Sequence, residues 1–239
     1  MATSKDKSKV HKLSIKGERS SVPRIFKDSQ AIGSSKLVAE FFEYSINSIL
    51  FQRGVYPPED FTTVKKYGLN MLVTADDQVK AYIKKIMSQL NKWMLGGKIS
   101  KLVVVITDKE TGEHVERWQF DVQIFGKHKS QSTKKSGDKE NDSPGDAGQP
   151  ETVEKTEKQI QEEIQAIFRQ ITASVTFLPV LDGDCTFNVL VYADADSDVP
   201  VEWGDSDAKD IKNPEKVQLR SFSTNNHRVE TMVSYRLAD

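Results

Sequence analysis

The sequence predicts an α+β two-layer domain, with three long helices packed on a mainly antiparallel β-sheet. Three observations carry this. Apolar residues recur at helical spacing in three separate stretches, the clearest running from Lys158 toward Leu181. Between the second and third of these the period switches to that of strands. After the third helix, further runs with a weaker strand period continue to the C-terminus.

Met1 to His11 is rich in Lys and Ser and is expected to be a disordered tail. Lys5, Lys7, Lys9 and Lys12 make a weak nuclear address there, and a solvated tail accounts for them better. A short edge strand is expected at Leu13 to Gly17, followed by a polar stretch from Glu18 to Gly33. Ser34 or Ser35 is expected to cap the first helix, which runs to about Arg53 and turns Leu37, Val38, Phe41, Phe42, Ile46, Ile49 and Leu50 inward. Gly54 stops it, and Tyr56 to Asp60, with two prolines, reads as a turn. Thr74-Ala75-Asp76-Asp77 resembles a capping box and opens the second helix, whose stripe is Val79, Tyr82, Ile83, Ile86, Leu90 and Trp93. Gly96-Gly97 ends it.

Lys101 to Thr107 contains LVVVI, the pattern of a central strand buried on both faces. After a turn at Lys109 to Gly112, Val115 to Ile124 alternates strictly. Trp118, Phe120, Val122 and Ile124 point one way; Arg117, Gln119, Asp121 and Gln123 point the other. The two strands should form an antiparallel hairpin. Gly126 to Lys155 has almost no large apolar residue and is expected to be a disordered surface loop.

The third helix buries Ile160, Ile164, Ile167, Phe168 and Ile171 and exposes Glu162, Gln165, Arg169 and Gln170. The β-branched run from Ile171 to Val175 weakens its last turns, and Pro179 prevents its continuation. Cys185 to Ala193 reads as a strand. Asp194 to Pro214 is acidic, with Trp203 alone in it. Val217 to Phe222 and Val229 to Leu237 have the strand period with mixed faces. They should pair about a turn near Asn225-Asn226-His227.

Without its tails and polar loop the chain keeps roughly 190 residues, enough for one domain with one core. The net charge of −1 gives no case for nucleic-acid binding by bulk electrostatics. The single cysteine, Cys185, excludes an internal disulfide and suits a reducing compartment. No apolar run approaches ~18 residues, so no membrane span is expected, and the N-terminus lacks the apolar region of a secretory signal. These features predict a soluble intracellular protein.

Nothing in the sequence argues for an enzyme or a cofactor. The four histidines are scattered without zinc-site spacing. Asp194-x-Asp196-x-Asp198 has the opening spacing of a calcium loop, but Val199 and Asp205 stand where that loop needs Gly and Glu. Cys185 opens an apolar strand, as a buried thiol does more often than a nucleophile. A solvated helix face explains Arg169 and Gln170 well, although an Arg beside the apolar Phe177 and Leu178 also suits an interface. Trp118 and Phe120 read as core. Trp203 reads as a staple for its loop or as part of a contact.

Four long, gapless stretches say more: AEFFEYSINSILFQRGVYPPEDF, LVVVITDKETGEHVERWQFDV, QITASVTFLPVL and QLRSFSTNNHRVETMVSYR. They closely resemble the HORMA-domain spindle checkpoint proteins, in a fungal-like form, over most of Ser34 to Asp239. The resemblance implies an adaptor in the nucleus, at kinetochores and in the cytoplasm, switching between open and closed forms. In the closed form a C-terminal safety belt, here about Asp184 to Asp239, crosses the sheet and encloses an extended peptide from a partner. The implied partners are the kinetochore receptor mitotic arrest deficient one, the activator subunit of the anaphase-promoting complex, and other mitotic checkpoint complex proteins. Capture of the activator delays anaphase. Neither nucleic acid nor membrane is implied.

Arg169, Gln170, Thr176, Phe177 and Arg220 match the family's self-association surface, where an open copy docks on a closed one as a homodimer. Trp118, Phe120, Trp203, Val233, Tyr235 and Leu237 are assigned to the partner-peptide and belt region. Other HORMA adaptors, of the meiotic axis or of translesion polymerases, are the alternative. Against the family pattern, Glu18 to Gly33 stands as an insertion of about 16 residues at a normally short connection. The resemblance also implies that the N-terminal strand and the belt compete for space.

Overall fold

In the computed structural model, residues 8–13, 29–125 and 155–237 are described. The expected loop from Gly126 therefore lies outside the described residues, except for Lys155, and so do Glu18 to residue 28 of the expected insertion.

Helix α1 spans Ser29–Gln52. It starts five residues before the expected cap, and Ser34 and Ser35 are buried inside it instead. Ser34 Oγ lies 2.6 Å from His227 Nδ1 and 2.5 Å from Thr224 Oγ1, so this hydroxyl joins the helix to the C-terminal hairpin. The rest of the stripe is as expected: Val38, Phe41, Phe42, Ile46, Ile49 and Leu50 have no exposed surface.

Two strands follow that the sequence reading missed, β2 (Phe61–Lys66) and β3 (Leu69–Thr74). They pair antiparallel through a two-residue turn at Tyr67 and Gly68, both at positive φ, as right-twisted hairpins prefer. Helix α2 (Asp77–Leu95) is capped by Asp76, whose carboxylate accepts from the backbone N–H of Gln78 and Val79. Val79 occupies the third position, so the reciprocal half of a capping box is missing. Helix α3 (Glu157–Ala173) has the full box, Thr156 with Gln159, and buries all five residues of its expected stripe.

Strands β4 (Ile99–Asp108) and β5 (His114–Ile124) form the expected hairpin. They are joined by β6 (Cys185–Asp194), the short β7 (Trp203–Asp205), and the C-terminal hairpin of β8 (Glu215–Ser223) and β9 (His227–Tyr235). The N-terminal strand is β1, Ser8–Leu13, which begins five residues before the expected strand and overlaps the expected tail at Ser8 to His11; residues 14–17 of the expected strand lie outside the described residues. All seven form one sheet in the order β7-β1-β6-β4-β5-β9-β8.

The helices cover one face of this sheet. Phe41 lies at the centre of that interface, with its ring 4.8 to 5.8 Å from those of Phe42, Phe120, Phe168 and Phe222. On the other face, Val103, Val105 and Leu190 are also fully buried, with Val10 and Tyr192 packed against them. The LVVVI run is thus a central strand buried on both faces. β1 and the β8–β9 hairpin lie on opposite sides of the sheet, against β6 and β5 respectively.

Candidate partner-binding sites

Strand β6 has β4 on one side and β1 on the other. β1 pairs antiparallel with β6 from Ser8↔Asp194 to Lys12↔Leu190, and with β7 through His11↔Asp205, Lys12↔Gly204 and Leu13↔Trp203. Period 2 sends His11 and Leu13 to the helix side, where both are buried. The His11 ring centroid lies 6.1 Å from that of Trp93, which in turn meets Trp203 edge-on at 5.0 Å. Trp93 Nε1 donates to the Asp198 carbonyl at 3.0 Å, fixing the segment before β7. Val10 points to the opposite side, onto Val103, Val105, Leu190 and Tyr192. The slot beside β6 thus has an apolar lining on both faces.

β7 and β8 end the sheet at opposite edges, so residues 206–214 must cross it. Ser206 N donates to the Val10 carbonyl at 3.1 Å at the start of this crossing. Arg117 of β5 holds its middle: Nε donates to the Ala208 carbonyl at 3.3 Å and lies 3.7 Å from the Asp210 carboxylate. Its other nitrogens donate to Gln119 Oε1 at 2.6 Å and Tyr192 Oη at 3.2 Å. Sequence reasoning placed Arg117 on the polar side of β5 and gave it no role. The available signal was the polar face of β5, Arg117-x-Gln119-x-Asp121, paired with the apolar Val103 and Val105 of β4. A polar segment covering both is the arrangement that satisfies such a face.

At the far edge β9 pairs with β5 along its whole length, from Glu116↔Tyr235 to Ile124↔His227. Trp118 and Phe120 lie beneath it, fully buried, and belong to the core rather than to the slot. Trp118 Nε1 donates to Glu116, which also accepts from Arg53 Nε at 2.8 Å in a buried ion pair. Burial pushes the Glu116 carboxyl above the usual range, against the pull of the Arg53 charge. Val233 is buried opposite Trp118. The Tyr235 ring sits 6.5 Å from that of Phe177. Leu237 lies beyond the end of β9 and is 54% exposed, so the expected final strand stops two residues earlier. Of the six residues assigned to the partner-peptide and belt region, Trp203 pairs with β1 beside β6, Val233 and Tyr235 lie in β9, Trp118 and Phe120 lie on the strand that β9 pairs with, and Leu237 follows β9.

The second cluster lies where α3 meets β8. Gln170 Oε1 accepts from the Arg220 backbone N–H at 2.7 Å. Arg169 is exposed, with Nη2 3.4 Å from Gln165 Oε1, one turn earlier. Thr176 closes the end of the helix by donating to the Ala173 carbonyl. Val175 and Phe177 are 44% and 41% exposed beside it, a mixed apolar and basic face of the kind protein partners use. Sequence reasoning had not included Val175.

The groups considered for chemistry are dispersed. Burial raises the Cys185 thiol above its usual pKa. Asp194 and Asp196 pair with Lys98. Among the described residues, no group of three or more His, Cys, Asp or Glu side chains is placed to hold a metal ion.

A helix-backed antiparallel sheet whose own C-terminal segment crosses its free face is the architecture of a HORMA domain, and the HORMA family model matches residues 34–227. The chain is 55% identical to the mitotic spindle checkpoint component mad2 of Schizosaccharomyces pombe, over 86% of this chain and 93% of that protein. It is 52% identical to the mitotic spindle checkpoint component MAD2 of Saccharomyces cerevisiae, over 85% and 95% respectively. A chain in a crystal structure of the mitotic checkpoint complex matches with a TM-score of 0.71 and 53% identity, covering 86% of this chain and 99% of that one. The protein belongs to the HORMA-domain family and, within it, to the MAD2 spindle checkpoint proteins. The meiotic-axis and translesion-polymerase alternative is not favoured.

Proposed function

We propose that this chain is a spindle checkpoint adaptor that captures an extended partner peptide in the slot beside β6 and locks it under residues 206–214 and the β8–β9 hairpin. One observation carries the reading. The slot beside β6 holds a strand paired on both sides, with the crossing segment bonded to it at Ser206. Main-chain pairing supplies affinity in such a site, and the alternating side-chain pockets supply selectivity. The arrangement corresponds to the closed form of the switch.

The peptides come from the kinetochore receptor mitotic arrest deficient one and from the activator subunit of the anaphase-promoting complex. Capture of the activator, with other checkpoint complex proteins, delays anaphase. The face around Arg169, Gln170, Thr176, Phe177 and Arg220 serves self-association of open and closed copies. The protein works in the nucleus, at kinetochores and in the cytoplasm; among the described residues, no helix is long and apolar enough to cross a membrane. No chemistry is catalysed and no cofactor is needed.

Calorimetric titration with a peptide from the activator subunit tests this reading. Deleting Glu230 to Asp239 removes most of β9 while leaving α1, α2, α3 and the β4–β5 hairpin intact. Binding should be lost and the domain should stay folded. Near-wild-type affinity in the deletion would mean that the hairpin does not lock the peptide.

A further inference from the structure

The strand in the slot is the chain's own N-terminus. We infer that Ser8–Leu13 is a built-in occupant of the partner slot, which any incoming peptide must displace; this rests on the capture reading above. β1 uses every feature of the slot. It pairs with β6 and with β7, and it buries His11 and Leu13 against the Trp93–Trp203 side. It also packs Val10 on the opposite apolar cluster and takes the Ser206 N–H on the Val10 carbonyl.

Charge supports the same assignment. The segment around the slot, from the end of β6 through the crossing, carries Asp194, Asp196, Asp198, Glu202, Asp205, Asp207 and Asp210 against Lys209 and Lys212. Lys98 and Arg117 offset part of this charge. The occupant is basic, with Lys9 and Lys12 in the strand, and His11 Nδ1 lies 3.3 Å from the Asp205 carboxylate. The slot therefore selects an extended basic segment with an apolar side chain facing each side of the sheet. Residues 14–28 tether β1 to α1. A tether of this length holds its end at an effective concentration on the order of millimolar, so even a modest intrinsic affinity competes with a partner.

The experiment uses a fluorescent peptide of Asp6 to Ile15 as the probe, read by anisotropy. It is titrated with the full chain, with full-length Leu13→Asp, and with a chain lacking Met1 to Gly17. Leu13→Asp places a charge beside Trp93 and Trp203, at the β1 edge of the core, and should empty the slot. Both altered chains should bind the probe at least tenfold more tightly than the full chain, and a probe carrying Leu13→Asp should bind none of them. Equal binding to all three chains, or none to either altered chain when circular dichroism shows them folded, overturns the inference.

The activator peptide separates the two ideas. If it binds the full chain and Leu13→Asp with equal affinity, partner capture stands and the built-in occupant falls. If the probe binds Leu13→Asp while the activator peptide binds neither chain, the occupant stands and partner capture falls.

Discussion

His227 begins the strand that closes the belt, and its ring is almost wholly enclosed. Burial lowers its pKa from 6.5 to about 4, so the ring that meets the Ser34 hydroxyl through Nδ1 is neutral. The unfolded chain takes up a proton near pH 6.5 that the folded chain refuses until about pH 4. Stability contributed by this histidine is therefore complete above the unfolded pKa and is lost as the pH falls toward the folded one. At pH 5 the loss should be about 2 kcal/mol. Denaturant titrations at pH 7.5 and pH 5 read it, and His227→Gln should remove that part of the difference. Arg169 sits at the other site, where its Nη2 makes a long contact to Gln165 within its own helix. Arg169→Glu should prevent self-association, by ~2 kcal/mol or more, a factor of roughly 30 in affinity. The slot lies at the β6 edge, so peptide binding should be spared. Sedimentation velocity reads the first effect and calorimetry the second; loss of both would make Arg169 a support of the fold.

The β2–β3 hairpin is fastened to α3 at its turn. Gln165 Nε2 donates to the Tyr67 carbonyl, and a Cβ placed on Gly68 would lie 2.9 Å from that nitrogen. Gly68 also holds φ +67°, so Gly68→Ala combines backbone strain with a contact that must give. It should cost about 1–2 kcal/mol, seen as a lower denaturation midpoint at unchanged slope. This hairpin shows what the sequence conceals. Its strands are short, with Thr62, Thr63 and Lys65 exposed, so no strong alternation marks them. Their turn is Tyr-Gly, outside the commonest Asn-Gly and Asp-Gly signals. β7 is three residues long and carries no period; Trp203 is buried by Trp93, a partner distant in the chain. Ser8 to Leu13 is short and only weakly patterned, and it is pairing with β6 and β7, distant in the chain, that makes it a strand. The long elements were legible because their burial is complete: LVVVI on two faces, α3 on one stripe. Alternation in β5 correctly turned Trp118 and Phe120 inward, yet it could not say that β9, rather than the slot, lies beside their strand.

At the scale of the molecule, the belt is a matter of reach. Seven strands separate β7 from β8 by six spacings, about 29 Å at ~4.8 Å each. From Asp205 to Glu215 the chain extends to at most about 33–36 Å, so little slack remains. Deleting Asp207 and Ala208 removes about 7 Å of reach and the Arg117 contact together. The hairpin should then fail to stay on β5, with fast hydrogen exchange from Val229 to Val233; adding Gly-Ser at the same point should leave exchange slow. Slow exchange in the shortened chain would mean that the crossing takes a shorter path. The double-sided pairing in the slot also sets how the assembly meets force. Antiparallel ladder bonds run perpendicular to their strands, so a pull along the enclosed strand loads its bonds in shear, several at once. The occupant has five residue pairs with β6 and three with β7, and the belt bars sideways peeling. A segment held there makes a coupling that is strongest along its own axis, fitted to bear tension between whatever is attached at its two ends.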